Sequence, residues 1–307
     1  MNYDLPRLIL TCFCLNSGVE FLGPIIQIGH RNSDGNEAQV SNVPQFGLGT
    51  FLMREIGECE RSVLSALKLG YRHIDTAMAY ENEHEVGQAI AEAIEEGIIT
   101  RDELFVTTKL RRPHAIGFEA AKQRCQESLE NLGLDNVDLY LVHAPPENPE
   151  HRAPTWRGME ACLEEGWTKA IGVSNYGAHH LDKMHSYARL MPAVNQIEVH
   201  PWLQRNALRA ATEAIGATVM AYSPLARGHK VDDPKLVKIA EKLGCTPAQA
   251  AIKWCLDAGC ITVPKSSNPS RIEENLGSLK VDLAAQIEEF SLLEENYISG
   301  WDPTAEA

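Results

Sequence analysis

Tyr71-Arg72-His73-Ile74-Asp75, Leu104-Phe105-Val106-Thr107-Thr108-Lys109 and Asp138-Leu139-Tyr140-Leu141-Val142-His143 are three strand-like runs, each ending on a polar residue of a different kind. Asp75, Lys109 and His143 recur at a constant interval of 34 residues. That interval accommodates one strand, one loop, one helix and one return loop, the repeat of a βα barrel whose strand ends converge on one face. An acid, an amine and an imidazole on that face, with Tyr80 in the loop after Asp75, form a candidate catalytic constellation.

Working outward, strand and helix signals alternate from Pro44 onward. Helical periodicity marks Glu60–Leu69, Glu83–Glu96, Phe118–Leu132, Pro154–Gly166, His179–Leu190, Leu208–Ile215, Asp233–Leu243, Thr246–Ala258 and Arg271–Leu279. Gly70 and Gly133 follow two of these as stop signals. With strands at Phe46–Thr50, Lys169–Val173, Ala193–Ile197, Ala217–Tyr222 and Ile261–Val263, the total is eight. The expected fold is therefore α/β, a (β/α)8 barrel with a parallel sheet.

The first 42 residues do not alternate. Leu8–Leu15, Asn16-Ser17-Gly18 and Val19-Glu20 read as a strand entering a hairpin turn, expected to cover the barrel bottom. Phe21–Asn42 starts apolar, turns polar, and shows no clear element. The expected division is a hairpin segment over 1–42, with an atypical insert at 21–42, followed by one barrel over 43–307 with a C-terminal loop.

The chain has 307 residues, a net charge of −14, 44% hydrophobic and 23% charged residues. Such a charge argues against nucleic-acid and anionic-membrane partners. Eight scattered cysteines without a CxxC pair fit reduced thiols and a cytoplasmic location. The run Leu8–Cys14 is too short to span a bilayer.

Each polar strand end has a plainer reading by itself. Asp75 and Lys109 could form a self-satisfied ion pair, Tyr80 could be packing, and His143 a hydrogen-bonded core histidine. His73, two residues before Asp75, raises a metal site, but Lys109 and Ser174 are poor substitutes for the further ligands it needs; no metal is expected. Together the four make a coherent acid. A phenol normally ionises near pH ~10. A neighbouring ammonium is expected to lower that value, a carboxylate to hold the ammonium, and an imidazole to bind a substrate oxygen. This suits protonation of a carbonyl oxygen while hydride arrives at carbon.

These residues carry a resemblance. Gly70-Tyr71-Arg72-His73-Ile74-Asp75-Thr76-Ala77, with Tyr80 and Glu81-Asn82-Glu83, resembles the signature of the aldo-keto reductases. The likeness continues through Thr107-Thr108-Lys109, Leu141-Val142-His143, Ile171-Gly172-Val173-Ser174-Asn175, Asn195-Gln196, Ala221-Tyr222-Ser223-Pro224-Leu225 and Val263-Pro264-Lys265-Ser266. It covers Val43 to about Pro303 and is most similar to microbial and fungal reductases of aldoses, glyceraldehyde and diketo-sugars. It implies an NADPH-dependent carbonyl reductase, a monomer acting on a small-molecule carbonyl substrate, with Asp75, Tyr80, Lys109 and His143 as the tetrad and Tyr80 the proton donor. It further implies that Ser174, Asn175 and Gln196 hold the nicotinamide carboxamide, Tyr222 stacks on the ring, and Ser223 and Leu225 line the pyrophosphate. Lys265, Ser266 and Arg271 would hold the adenosine phosphate, helped by backbone N–H groups of the helix starting near Ser270, with Glu274 and Asn275 near the adenine. On their own, Lys265 and Arg271 read as solvated charge at a helix start. Phe51, His143 and Trp301 are expected at the substrate.

Four positions depart from better-known members. Ala144 follows His143 where several carry an aromatic, Phe51 replaces a frequent tryptophan, and Leu52 and Gly228 stand where some members latch a loop with lysine and aspartate. In the family, a motif like Leu15–Glu20 runs straight into one like Val43–Thr50, so Phe21–Asn42 adds 22 residues. The alternatives are a non-catalytic NADP-binding regulatory subunit and a metal-dependent hydrolase barrel.

Overall fold

The computed structural model describes residues 23–32 and 35–306. Two antiparallel strands come first, β1 (Ile25–Arg31) and β2 (Glu37–Pro44), pairing Ile25 with Pro44 through Gly29 with Val40. Eight parallel strands follow: β3 (Leu48–Gly49), β4 (His73–Asp75), β5 (Phe105–Leu110), β6 (Leu139–Val142), β7 (Ile171–Ser174), β8 (Val194–Glu198), β9 (Thr218–Tyr222) and β10 (Ile261–Val263), each paired with the next. Bridges between Phe46 and Thr262 and between Gly49 and Lys265 join the first strand to the last. Closure depends on small residues there. A Cβ on Gly47 would meet His73 at 2.8 Å, and one on Gly49 would meet the Val263 carbonyl at 2.9 Å.

Helices α1 (Glu58–Lys68), α2 (Glu83–Glu95), α3 (Phe118–Leu132), α4 (Arg152–Glu164), α5 (Ala178–Met184), α6 (Asn206–Ala214), α7 (Pro234–Leu243), α8 (Pro247–Asp257) and α9 (Pro269–Leu276) surround the sheet. Their apolar stripes bury against it, as Val86, Ala89, Ile90 and Ala93 do on α2. Gly133 ends α3 at φ 63°, the left-handed conformation that glycine adopts without strain. Among the described residues no helix is long and apolar enough to cross a membrane.

The N-terminal region differs from its sequence reading. The expected strand and turn at Leu8–Glu20 lie outside the described residues. Phe21–Asn42, in which no element was legible, contributes most of the β1–β2 hairpin. Ile26, Ile28 and Val43 pack with Phe105, Leu139, Leu141, Ala170, Ala193, Val194 and Met220, residues from the beginnings and interiors of the barrel strands. The hairpin thus covers the bottom of the barrel with the segment read as an insert. Buried His30 ties it down: Nδ1 lies 2.9 Å from the Met191 carbonyl, and Nε2 accepts from the Ile171 N–H at 3.2 Å.

A helix next to this contact is shorter than its sequence reading. The sequence predicts a helix over His179–Leu190, whereas α5 stops at Met184. Residues 190 and 191 instead meet the hairpin, with the Met191 N–H donating to the Arg31 carbonyl at 2.8 Å and Leu190 bridging Asn32. The helix predicted over Arg271–Leu279 likewise ends at Leu276 and continues as a 3-10 turn, Gly277–Lys280.

Candidate active site

Strand ends place the four polar residues together. Asp75 closes β4, Lys109 is the penultimate residue of β5, and His143 follows β6. Tyr80 ends the 3-10 turn Met78–Tyr80 after β4. That loop is braced by buried Asn82, whose amide donates to the carbonyls of Thr50 and Met53 and accepts from Thr76 Oγ1. Lys109 is fully buried, and its Nζ donates to Asp75 Oδ1 at 2.6 Å, the Thr76 carbonyl at 2.9 Å and the Tyr80 hydroxyl at 3.2 Å. The Tyr80 ring meets the His143 ring edge-on at 5.6 Å between centroids, and Phe51 at 5.1 Å. Asp75 is also held from the other side, by Gln196 Nε2 at 2.7 Å.

Electrostatics at the site run against one expectation. Burial, reinforced by the Asp75 charge, pushes the Tyr80 phenol well above its ordinary range rather than lowering it. Burial pushes the Lys109 ammonium down, opposed by Asp75. The carboxylate at 2.6 Å cancels much of the positive field the phenol would otherwise feel. His143 is pushed down to about 3 by burial and by the charges of Lys109 and Arg111, so its imidazole is neutral. His73 belongs elsewhere: it is fully buried, with Nδ1 3.2 Å from the Pro44 carbonyl and Nε2 3.0 Å from Thr107 Oγ1. Burial holds it neutral, down to about 4.

A cavity of about 1130 Å³ opens at this end of the barrel. Asp75, Tyr80 and His143 line it, as do Ser174, Asn175, Gln196, Tyr222, Ser223, Leu225, Lys265, Ser266, Arg271, Glu274 and Asn275; Phe51 and Trp301 line its mouth. Of the expected site residues only Lys109 is outside the lining, because it sits beneath Tyr80 with no exposed surface. Near the tetrad, Asn175 Nδ2 donates to the His143 carbonyl at 2.9 Å and to Ser174 Oγ at 3.1 Å, and its Oδ1 accepts from the Tyr222 hydroxyl at 2.8 Å. Amide and hydroxyl groups of this kind fit a carboxamide. Asn175 and Ser223 hold positive φ, 61° and 50°, a backbone strain typical of ligand-binding loops.

Toward α9, Lys265 Nζ lies 4.0 Å from Glu58 and 3.4 Å from Ser267 Oγ. Arg271 has no ion-pair partner among the described residues. Two cations with this little neutralisation fit a phosphate group. The helix itself does not assist as expected. Asn268 Oδ1 already accepts from the Ser270 and Arg271 N–H groups, so those donors are taken.

The sequence reading missed Arg111, Arg112 and Arg227, which also line the cavity. Arg111-Arg112-Pro113 follows β5, two residues after Lys109, in a βα loop on the active face, which is the signal that marks such residues. Arg112 organises the C-terminal tail. Its Nε donates to the Pro145 carbonyl at 2.8 Å, its Nη2 pairs with Glu306, and its guanidinium stacks on Trp301 at 5.1 Å. Trp301 Nε1 donates to Glu306 at 3.3 Å, so the tail presents this ring to the mouth.

Comparison with known proteins agrees with the geometry. Residues 57–297 match the model of the aldo/keto reductase family. The chain is 43% identical over 245 residues to an aldo-keto reductase of Mycolicibacterium vanbaalenii, covering 80% of this chain and 86% of that one. It is 41% identical over 252 residues to the methylglyoxal reductase DkgA of Salmonella typhimurium, covering 80% and 85%. A Bombyx mori aldo-keto reductase solved in complex with NADP superposes with a TM-score of 0.80 at 35% identity, covering 92% of this chain and 96% of that one. A closed eight-stranded barrel, four polar groups converging at one mouth and a match over residues 57–297 lead to one conclusion: this chain belongs to the aldo/keto reductase family.

Proposed function

We propose that the protein reduces an aldehyde or ketone to the alcohol with NADPH, and that Tyr80 is the general acid. The observation that carries this is the buried Lys109 ammonium held between the Asp75 carboxylate and the Tyr80 hydroxyl at the cavity floor. NADPH, when bound, supplies the hydride that the carbonyl carbon takes up. Tyr80 gives its proton to the carbonyl oxygen as that oxygen gains the electron pair of the broken π bond. Lys109 stabilises the phenolate left behind, and Asp75, held by Gln196, keeps Lys109 in place. Neutral His143 hydrogen-bonds the carbonyl oxygen and orients it.

In this reading Ser174, Asn175 and Gln196 hold the carboxamide, Tyr222 stacks on the nicotinamide, and Ser223 and Leu225 lie along the pyrophosphate. Lys265, Ser266 and Arg271 meet the adenosine phosphate, with Glu274 and Asn275 at the adenine, while Phe51 and Trp301 border the substrate. Residues 43–307 act as one catalytic barrel, with the N-terminal segment as its base. The protein works as a monomer in the cytoplasm, which the unpaired thiols of Cys59, Cys125, Cys162, Cys245, Cys255 and Cys260 suit.

Measuring NADPH oxidation with glyceraldehyde and a nitrobenzaldehyde tests the reading. Turnover that disappears in Tyr80→Phe supports it. NADPH binding without turnover on any carbonyl compound would show a non-catalytic NADP-binding subunit instead.

A further inference from the structure

We propose that Arg111 fits this active site to carbonyl compounds that carry a carboxylate a few bonds from the C=O group. The proposal rests on the carbonyl-reductase reading and names its substrate class.

Position is the first argument. Arg111 is the first residue beyond β5. Leu110 pairs with Val142 in β6, and the His143 N–H donates to the Leu110 carbonyl at 3.0 Å. Arg111 and His143 therefore occupy neighbouring places on adjacent strand ends. Adjacent strands lie about 4.8 Å apart, and residues two apart in an extended segment share a face. Arg111 has extended backbone (φ −60°, ψ 133°), so it stands one level above Lys109 and beside His143. Both Arg111 and His143 line the cavity. This puts the guanidinium on the substrate side, well away in sequence and fold from Lys265 and Arg271. The influence of its charge on His143 agrees with that closeness.

Availability is the second. The one ion pair of Arg111 among the described residues is with Glu81, at 3.7 Å, and Glu81 is 78% exposed. A long, solvated bridge of this kind is worth little and yields readily to a ligand. Arg112, by contrast, is committed to Glu306, Pro145 and Trp301.

Charge is the third. A chain of net charge −14 repels an approaching anion. A neutral aldehyde has no use for a half-exposed cation next to the group that binds its oxygen, whereas a carboxylate takes two parallel hydrogen bonds from a guanidinium. One inter-strand step of about 4.8 Å is roughly the distance from a carbonyl oxygen to a carboxylate carbon three C–C bonds beyond its carbon in an extended chain. Succinate semialdehyde has that spacing.

The test compares succinate semialdehyde with its methyl ester, following NADPH oxidation by the full chain. Wild type is expected to show the higher kcat/KM on the anion. Arg111→Gln should lower the anion-to-ester ratio about ten- to a hundredfold, the loss of one charge-assisted contact. Arg111→Lys should keep part of the ratio, and Arg111→Glu should invert it. Fluorescence titration with NADPH verifies that each variant is folded; should Arg111→Gln not fold, Arg111→Lys and the wild-type ratio decide. Equal losses on both compounds, or no wild-type preference for the anion, overturn the proposal while leaving the carbonyl-reductase reading intact. A wild type inactive on both compounds and on nitrobenzaldehyde overturns that reading, and the proposal with it.

Discussion

The Lys109 ammonium lies 3.2 Å from the Tyr80 hydroxyl, yet the phenol is harder to ionise there than in water. Burial outweighs the cation, and Asp75 at 2.6 Å neutralises much of its field. The consequence is useful to an acid. In the proposed reaction Tyr80 holds its proton until a substrate oxygen needs it, and Lys109 then meets the phenolate.

Tyr80→Phe is expected to lose about 10²–10⁴-fold in kcat, the usual worth of general acid catalysis. NADPH affinity should change little, because the hydroxyl's partner here is Lys109. Lys109→Met should be at least as damaging, since it also leaves the buried Asp75 charge without its cation. Steady-state rates beside NADPH titrations check both; near-normal turnover by Tyr80→Phe would remove it as the acid.

Arg271→Ala should weaken NADPH binding about ten- to a hundredfold, since one charge-assisted contact is worth roughly 1.5–3 kcal/mol. NADH binding should barely change. The N–H groups at the start of α9 are satisfied by Asn268, so they do not replace the lost guanidinium. Fluorescence titration with both cofactors measures this, and an equal loss for both would assign Arg271 to the adenosine or the fold.

Ile28→Ala tests the hairpin as a base for the barrel. Ile28 is 1% exposed in the cluster at the barrel bottom. Removing a buried aliphatic of this size costs about 2–5 kcal/mol, and Tm should fall by roughly 2–4 °C per kcal/mol. Below the transition, kcat should hold, because chemistry sits at the opposite face. Thermal melts and rates on one preparation separate the two effects.

Acid should destabilise the fold through its buried histidines. His73 and His143 are depressed to about 4 and about 3, against about 6.5 in an unfolded chain. Below about pH 6.5 the unfolded state binds protons that the folded state refuses. Their contribution is therefore complete above that pH and is lost as pH falls toward those depressed values. Urea melts at neutral and mildly acidic pH should show the decline, and equal midpoints at both would contradict it.

The sequence by itself determined the barrel and most of the site. Strand and helix periods are local, and a constant interval of 34 residues forces Asp75, Lys109 and His143 onto the same ends of successive strands. Motifs at Ser174-Asn175, Tyr222-Ser223 and Lys265-Ser266 were legible only through the resemblance to the aldo-keto reductases, since Lys265 by itself reads as solvated charge. Tertiary structure alone decided the rest. β1 and β2 form from a segment without local signal because the open barrel bottom buries Ile26, Ile28 and Val43. α5 stops at Met184, and the chain beyond it is held by distant residues, with Glu160 accepting from the Arg189 and Leu190 N–H groups and the Arg31 carbonyl accepting from that of Met191. The phenol's shift changed sign because burial and the Asp75 charge depend on what surrounds Tyr80 in space. Arg111 and Arg112 are adjacent in sequence with the same side chain. The fold commits one to the tail and leaves the other at the mouth, because Glu306 comes within reach of only one of them.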